Sequence, residues 1–117
     1  MPVFKSDMNL DRIIDRAVDI DQIRKEELRF GDLVLIVTEN STYSVYVLQD
    51  DFYLVSGGWF DRNGLSPAKV SINGCTWGGN IIKINTLAAC GLYVEFSNGL
   101  VTSRIQRVMV FNMNGKS

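Results

Sequence analysis

Cys75 is the residue whose type and setting come nearest to a catalytic nucleophile. It stands between Gly74 and Thr76 in a glycine-rich stretch, where a loop could present a thiol to a substrate. A reactive thiolate needs an adjacent base or a strongly positive environment, and the chain contains no histidine. A lysine such as Lys83 could supply the charge. Because cysteine side chains bury readily, we expect a packed thiol and keep an enzyme with a Cys75 nucleophile as the least favoured alternative.

Other residue patterns argue against metal and acid–base chemistry. Cys75 and Cys90 are the only cysteines, and no neighbouring residues complete a tetrahedral metal site. Asp50 and Asp51 are adjacent, so on a strand their carboxylates would point to opposite faces. The paired glycines are not followed by the Gly-Lys-Ser/Thr of a phosphate loop. We therefore expect no catalytic residue, no metal and no cofactor.

Residues 55–80 form the stretch that the sequence marks as a contact surface. They hold both tryptophans and six of the ten glycines, in the mirrored settings Gly57-Gly58-Trp59 and Trp77-Gly78-Gly79. Paired glycines let the backbone take positive φ and approach a large ring closely. Exposed aromatic side chains anchor protein partners. The candidate surface comprises Trp59, Phe60, Asp61, Arg62, Trp77, Arg104 and Arg107. The opposite interpretation, that both tryptophans are core residues beneath a long loop, stays open.

Single-stranded nucleic acid is the alternative ligand for a surface that combines aromatic and basic residues. Lys69 and Lys83 would then join the candidate residues. Residues 30–117, however, carry six basic and six acidic side chains, and phosphate neutralisation normally dominates such binding. Nucleic acid is therefore not the favoured partner.

The composition fits a single cytoplasmic domain. The 117 residues suffice for one buried core, and the net charge of −1 gives no general attraction to anionic surfaces. No apolar run approaches the roughly 20 residues of a membrane helix, and the first residues lack a signal-peptide pattern. We expect no membrane partner and a reducing compartment in which Cys75 and Cys90 stay thiols, whether or not they meet. The partner is unknown, and a homo-oligomer that covers strand edges is a further expectation.

Residues 1–29 predict a helical segment that packs on the rest of the domain. Leu10, Ile13, Ile14 and Ala17 have the spacing that lines one face of a helix. The phase shifts near residues 18–21, which favours a second short helix over residues 22–28, with Ile23 facing inward and Asp19 or Asp21 as its cap. Residues 112–117 predict a flexible tail.

From residue 30 onward the pattern predicts strands. The apolar run at 33–37 predicts a strand covered on both faces, and residues 42–49 alternate with Tyr43, Val45 and Val47 on one face. Residues 52–55 complete a three-stranded meander. Further short strands are predicted at 69–72, as an edge strand, and at 81–84, while 87–90 could be a buried loop, a helical turn or a strand.

The clearest prediction near the end of the chain is a hairpin. Residues 92–97 alternate, Asn98-Gly99 supplies the positive-φ pair that a type I′ turn needs, and residues 100–102 return. The last strand, residues 105–111, breaks its alternation as a β-bulge would.

Short strands with glycine turns predict a mainly β fold (α+β if the helical segment is counted), with a small, mostly antiparallel barrel over residues 30–111. The run Phe30-Gly31-Asp32-Leu33-Val34 resembles the first strand of SH3-like small barrels, and that resemblance concerns the fold alone. The resulting hypothesis is a non-enzymatic, cytosolic binding or assembly module that uses its Gly/Trp-rich loops.

Overall fold

The computed structural model describes residues 17–78 and 81–111, which form three antiparallel sheets. In chain order the strands are β1 (Val18–Ile20), β2 (Gln22–Arg24), β3 (Leu33–Thr38), β4 (Thr42–Val47), β5 (Tyr53–Gly57), β6 (Ala68–Val70), β7 (Ile72–Gly78), β8 (Ile81–Lys83), β9 (Thr86–Ala89), β10 (Tyr93–Phe96) and β11 (Ile105–Phe111). A short helix, α1 (Gly58–Arg62), follows β5, and a 3-10 turn (Lys25–Glu27) follows β2. No helix within these residues is long and apolar enough to cross a membrane.

The sheets are open. The six-stranded sheet has the order β1-β11-β3-β4-β5-β6, the three-stranded sheet has the order β10-β7-β8, and β2 pairs with β9. The outer strands β1 and β6 do not pair with each other, so the described residues form no closed barrel. A mainly β, antiparallel fold is confirmed, and it contains the predicted meander as β3, β4 and β5. The barrel does not close because the chain leaves β6 for a second sheet instead of returning to β1.

Residues 18–28 do not form the helix that the sequence predicts. β1 pairs with β11, and β2 pairs with β9, where Ile23 lies opposite Ala88. Ile23 is buried between the exposed side chains of Gln22 and Arg24, which is the alternation of a strand. Pairing with distant strands therefore outweighs the local helix signal, as tertiary context often does. The rest of the predicted helix, at 9–16, and the predicted tail, at 112–117, lie outside the described residues.

The later strand predictions hold to within a few residues. Val34 and Ile36 of β3 are fully buried, but the alternate side chains are partly exposed, so only one face of β3 is fully covered. The ambiguous run at 87–90 lies mostly in β9, which is buried throughout. The register of β11 shifts between Ile105 and Arg107, which confirms the predicted bulge.

The type I′ geometry occurs at a different turn from the predicted one. Asp50 and Asp51 have φ of 61° and 65°, the positive pair that this turn requires. At the predicted site only Gly99 has positive φ, so the loop after Phe96 is a three-residue loop with Gly99 in its left-handed position. The predicted return segment is present but short: Glu95 and Val101 form a bridge, flanked by hydrogen bonds from the Phe96 N–H to the Leu100 carbonyl and from the Thr102 N–H to the Val94 carbonyl. The other edge of β10 pairs with β7.

An aromatic cluster joins the two larger sheets. The rings of Phe60 and Phe96 are 5.2 Å apart in an edge-to-face arrangement, and Tyr43 lies 6.2 Å from Phe60 and 5.8 Å from Phe96. Such pairs contribute about 0.5–1.5 kcal/mol each beyond the burial of their area. Because Phe60 belongs to α1, Phe96 to β10 and Tyr43 to β4, this cluster fixes the helix to both sheets.

Candidate functional site

The two glycine–tryptophan motifs lie in different parts of the molecule. Trp59 belongs to α1, and its neighbour Phe60 contacts Phe96, which pairs with Ile72 at the start of β7. Trp77 lies near the far end of the same strand. Because a strand rises about 3.3 Å per residue, Trp77 is roughly 16 Å along β7 from that contact. The two tryptophans therefore do not form one patch.

The surroundings of Trp59 belong to the folded core. Phe60 is 1% exposed, which corrects the expectation that it lies on a contact surface. The reason is the burial of its ring against Tyr43 and Phe96. Trp59 is half-buried and packs edge-on against Phe60, with the ring centroids 5.4 Å apart.

Gly57 and Gly58 make this packing possible. Both have positive φ, at 100° and 45°. A methyl group added to Gly57 would overlap the carbonyl oxygen of Thr42, and one added to Gly58 would overlap the ring of Tyr43. The predicted close approach of glycine backbone to a ring is present, but the ring is that of Tyr43 and not that of Trp59.

Asp61 and Arg62 stabilise the turn around α1. The Asp61 carboxylate accepts hydrogen bonds from the Ser66 hydroxyl and, at 2.9 Å, from the Gly57 N–H. These two donors lower the pKa of Asp61 below its usual value. Arg62 donates to the Ser41 hydroxyl at 3.3 Å. Both side chains are exposed, yet each has a partner within the chain.

The two candidate arginines of the C-terminal part also have internal partners. Arg107 donates from Nε and Nη2 to the carboxylate of Asp19, at 2.8 and 3.0 Å, so the pair links β11 to β1. Asp19 was a predicted helix cap and serves instead as this ion-pair partner. The Tyr93 hydroxyl and the Glu39 carboxylate beside Arg104 raise the pKa of its guanidinium.

Cys75 is a core thiol. It has no exposed surface, and its Sγ is 3.4 Å from the carbonyl oxygen of Leu87. Burial raises the pKa of Cys75 to about 11, while the charges of Lys83 and Lys25 oppose this shift only in part. The thiol is therefore protonated at neutral pH, which weakens the case for a nucleophile. Cys75 and the exposed Cys90 are both free.

Trp77 is the extra residue of a β-bulge between β7 and β8. Thr76 pairs with Ile82 and Gly78 pairs with Ile81, so Trp77 has no opposite residue. The Thr76 hydroxyl donates to the Ile81 carbonyl at 2.7 Å and accepts from the Gly78 N–H at 2.9 Å. One side chain therefore holds both strands of the bulge. Bulges redirect side chains, and the Trp77 side chain here is 55% exposed.

Ile81 and Lys83 complete an exposed surface around this ring, and we name these three residues the Trp77 surface. Ile81 is 64% exposed and lies two positions from Lys83, on the same face of β8. The Lys83 ammonium is 5.6 Å from the centroid of the Trp77 ring, within the range of a cation–π contact. The sequence predicted the strand that carries Ile81 but gave no sign that this strand lies at a sheet edge.

Two open clefts adjoin the turn after β8, where Ile84 and Asn85 line both. The first, of about 470 Å³, is also lined by Lys25, Glu26 and Asp51. The ammonium of Lys25 already donates to the Ile72 carbonyl at 2.6 Å, and burial lowers the pKa of this lysine. With two carboxylates around one bonded ammonium, this cleft does not favour anions. The described residues also contain no group of three acidic, histidine or cysteine side chains suited to a metal ion.

The second cleft has a different set of side chains, and we name it the Arg24 cleft. It has a volume of about 370 Å³ and is lined by Gln22, Arg24, Lys83, Ile84, Asn85 and Thr86. Two of these residues are cationic and none is a carboxylate. Lys83 belongs both to this cleft and to the Trp77 surface.

Comparison with known proteins associates the chain with no family. No protein-family model, no curated protein and no solved structure matches it.

Proposed function

We propose that this protein is a non-enzymatic binding or assembly module that contacts its partner through the Trp77 surface. The observation that carries the proposal is the bulge at Trp77, in which hydrogen bonds from Thr76 fix a conformation with an exposed indole. Burying a large apolar side chain is worth about 1.5–3 kcal/mol. A fixed conformation that leaves such a ring in water is therefore well suited to a binding partner that covers it.

A second copy of the chain is the partner that fits this surface best. Exposed strand edges are usually protected by proline or charge. The outer strand β6 follows Pro67 and carries Lys69, and the outer strand β1 carries the Asp19–Arg107 pair. The edge of β8 has Ile81 and Ile82 and only one charge, that of Lys83. Two β8 strands related by a two-fold axis would pair antiparallel and join two three-stranded sheets into one.

The favourable and unfavourable free energies of such a dimer are of similar size. Covering the exposed parts of Trp77 and Ile81 contributes about 1–2 kcal/mol for each side chain. A two-fold interface uses the same surface twice, which gives about 4–8 kcal/mol for four side chains. Association costs about 4–15 kcal/mol in lost motional freedom. Strand pairing adds to the favourable side, so we expect a dimer that dissociates on dilution.

We further propose that the protein works in the reducing cytosol, where both cysteines remain thiols. The meander of β3, β4 and β5 is the part of the chain on which an SH3-like relationship would rest, and the Trp77 surface lies outside it. Arg107 is paired with Asp19, and Arg104 lies beside Tyr93 and Glu39, so neither joins Trp77 in a basic aromatic surface. A binding module is therefore better supported than a nucleic-acid-binding surface.

Sedimentation velocity over a wide range of protein concentration tests this proposal. The wild-type chain should show a concentration-dependent dimer, and Ile81→Glu should remain monomeric because it replaces an apolar contact with a carboxylate that would lose its water in the interface. Leu65→Glu is the matched control, since Leu65 is also an exposed apolar residue but lies in the loop after α1. A wild-type chain that stays monomeric at every concentration, or an equal effect of the two glutamates, would overturn the proposal.

A further inference from the structure

The Arg24 cleft combines positive charge with neutral hydrogen-bonding groups. Arg24 and Lys83 supply the charge, and the side-chain amides of Gln22 and Asn85 line the same cleft. Gln22 and Arg24 are two residues apart on β2 and share a face. Arginine offers a planar fork of donors that suits carboxylate and phosphate groups, and lysine adds a point charge.

Thr86 gives the cleft an unsatisfied buried group. Its side chain is 3% exposed, and its hydroxyl has no hydrogen-bond partner in the described part of the chain. The other buried polar side chains, those of Asp32, Thr38, Thr76 and Thr102, each make at least one hydrogen bond. Buried polar groups are nearly always paired with protein, water or a bound ligand. The Thr86 hydroxyl is therefore available to a molecule in the cleft.

The backbone brings the donors together. Arg24 of β2 and Thr86 of β9 are paired residues, and Lys83 precedes Thr86 across the two-residue turn after β8. The guanidinium of Arg24 donates from Nη2 to Glu26 at 2.9 Å, and both side chains of that pair are more than half exposed. Exposed ion pairs are weak, so Arg24 can turn its remaining donors toward an anion.

We propose that the Arg24 cleft binds an oxyanion, a phosphate or carboxylate group, between Arg24, Lys83 and Thr86. Arg24 donates two hydrogen bonds to the anion, Lys83 supplies the second positive charge, and the Thr86 hydroxyl donates a third hydrogen bond. The volume of about 370 Å³ leaves room for a small molecule that carries such a group. The cleft lies beside the Trp77 surface, and anion binding does not require the dimer.

Titration of the ¹⁵N-labelled full chain with inorganic phosphate and with acetate tests the site, with sodium chloride at matched ionic strength as the reference. We expect saturable amide shifts confined to residues 22–24 and 83–86. Tighter phosphate binding would identify a phosphorylated ligand, whereas acetate binding of equal or greater strength would identify a carboxylate. Thr86→Val should weaken binding by about tenfold, the effect of losing one charge-assisted hydrogen bond, and Arg24→Gln, which removes two, should weaken it by about a hundredfold.

Control variants separate binding from folding. Thr86→Ser keeps the hydroxyl and should retain the wild-type affinity. Lys69→Gln removes a lysine whose ammonium lies over Phe52 and away from the cleft, so binding should be unchanged. Thr86→Val should not lower the melting temperature, because the free protein loses no hydrogen bond. Shifts no larger than those in chloride, unchanged binding by Thr86→Val, or a melting temperature lowered by that substitution would overturn the site. The same titration of Ile81→Ser, which removes the apolar contact of the dimer without adding a charge beside Lys83, distinguishes this result from failure of the dimer, since a monomer should still bind.

Discussion

Trp59 and Trp77 have mirrored neighbours in the sequence and opposite surroundings in the structure. Beside Trp59, two glycines fit where any side chain would overlap Thr42 or Tyr43, and the tryptophan packs against the buried Phe60. Beside Trp77, a methyl group added to Gly78 would meet no atom of the described residues within 4 Å, its chain neighbours apart, so the restriction at this position is its φ of 106°. The same residue types therefore serve tight packing in one region and a redirected side chain in the other.

Truncating the aromatic core should give the largest difference between the two regions. Phe60→Ala removes a ring packed against Tyr43 and Phe96 and should lower the free energy of unfolding by about 3–5 kcal/mol. Trp77→Ala removes a largely solvated ring and should change it by about 0.5 kcal/mol or less. Urea denaturation measures both values. A comparable loss in the two variants would mean that Trp77 belongs to the core.

A second contrast lies within β7, where Cys75 is buried only two residues before the exposed Trp77. Burial raises the pKa of the Cys75 thiol from 9.0 to about 11. A raised pKa in the folded state means that the protonated thiol stabilises the fold fully below about pH 9 and that this contribution disappears as pH rises through about 11. A pKa rise of this size corresponds to roughly 3 kcal/mol in the free energy of unfolding.

Alkaline denaturation of wild type and Cys75→Ala checks this assignment. Between pH 9 and 10 the wild type should lose stability more steeply than Cys75→Ala, whatever the difference between them at pH 7. Tyr53, whose pKa is raised to about 12 chiefly by burial, adds a loss above pH 10 that both proteins share. If the unfolding free energy of the two proteins fell equally steeply with pH below pH 10, the Cys75 thiol would not be buried as described.

The bulge that exposes Trp77 should be weakened by a smaller change. Thr76→Val leaves the Gly78 N–H and the Ile81 carbonyl without their hydroxyl partner and should cost about 1–2 kcal/mol. Thr76→Ser keeps both hydrogen bonds and serves as the control. Chemical denaturation gives the energy, and the emission of Trp77 in a Trp59→Phe background reports the local change. Unchanged emission and stability in Thr76→Val would mean that the bulge does not depend on Thr76.

The smallest expected effect on stability comes from replacing each tryptophan by phenylalanine, which leaves one fluorescent reporter in each variant. Trp77, alone in Trp59→Phe, should be quenched readily by acrylamide because its side chain is 55% exposed. Trp59, alone in Trp77→Phe, should be more shielded and emit further to the blue. Equal quenching of the two reporters would remove the distinction between the regions.

The sequence predicts the part of the fold that depends on local patterns. The meander, the edge strand near Lys69 and the bulge of β11 follow from alternation and turn residues over a few positions. The strands β1 and β2 do not, because their conformation depends on β11 and β9, more than 60 residues away. Closure of a barrel also depends on whether strands far apart in the chain pair, so local patterns do not distinguish an open sheet from a closed barrel.

The candidate site was predictable to a smaller degree. Trp77 was identified from its glycines, but so was Trp59, and only the packing of Phe60 separates them. Ile81 and Thr86 carry no local signal, since their importance comes from a sheet edge and from an unsatisfied hydroxyl. The charge of Arg104 and Arg107 makes both candidates, and nothing in the sequence indicates their internal partners.

The position of β11 between β1 and β3 has a consequence for the order of folding. Val18 pairs with Val110, 92 positions later, whereas β3, β4 and β5 pair with their neighbours in the chain. Non-local pairing forms after local pairing because closing a long loop costs chain entropy before any contact is gained, and until it occurs the edges of β1 and β3 are open to other chains. We expect Val45→Ala, in the meander, to slow refolding in stopped-flow experiments. Val108→Ala, in β11, should chiefly speed unfolding, so the chain would be most prone to aggregation late in folding, just before β11 joins the sheet.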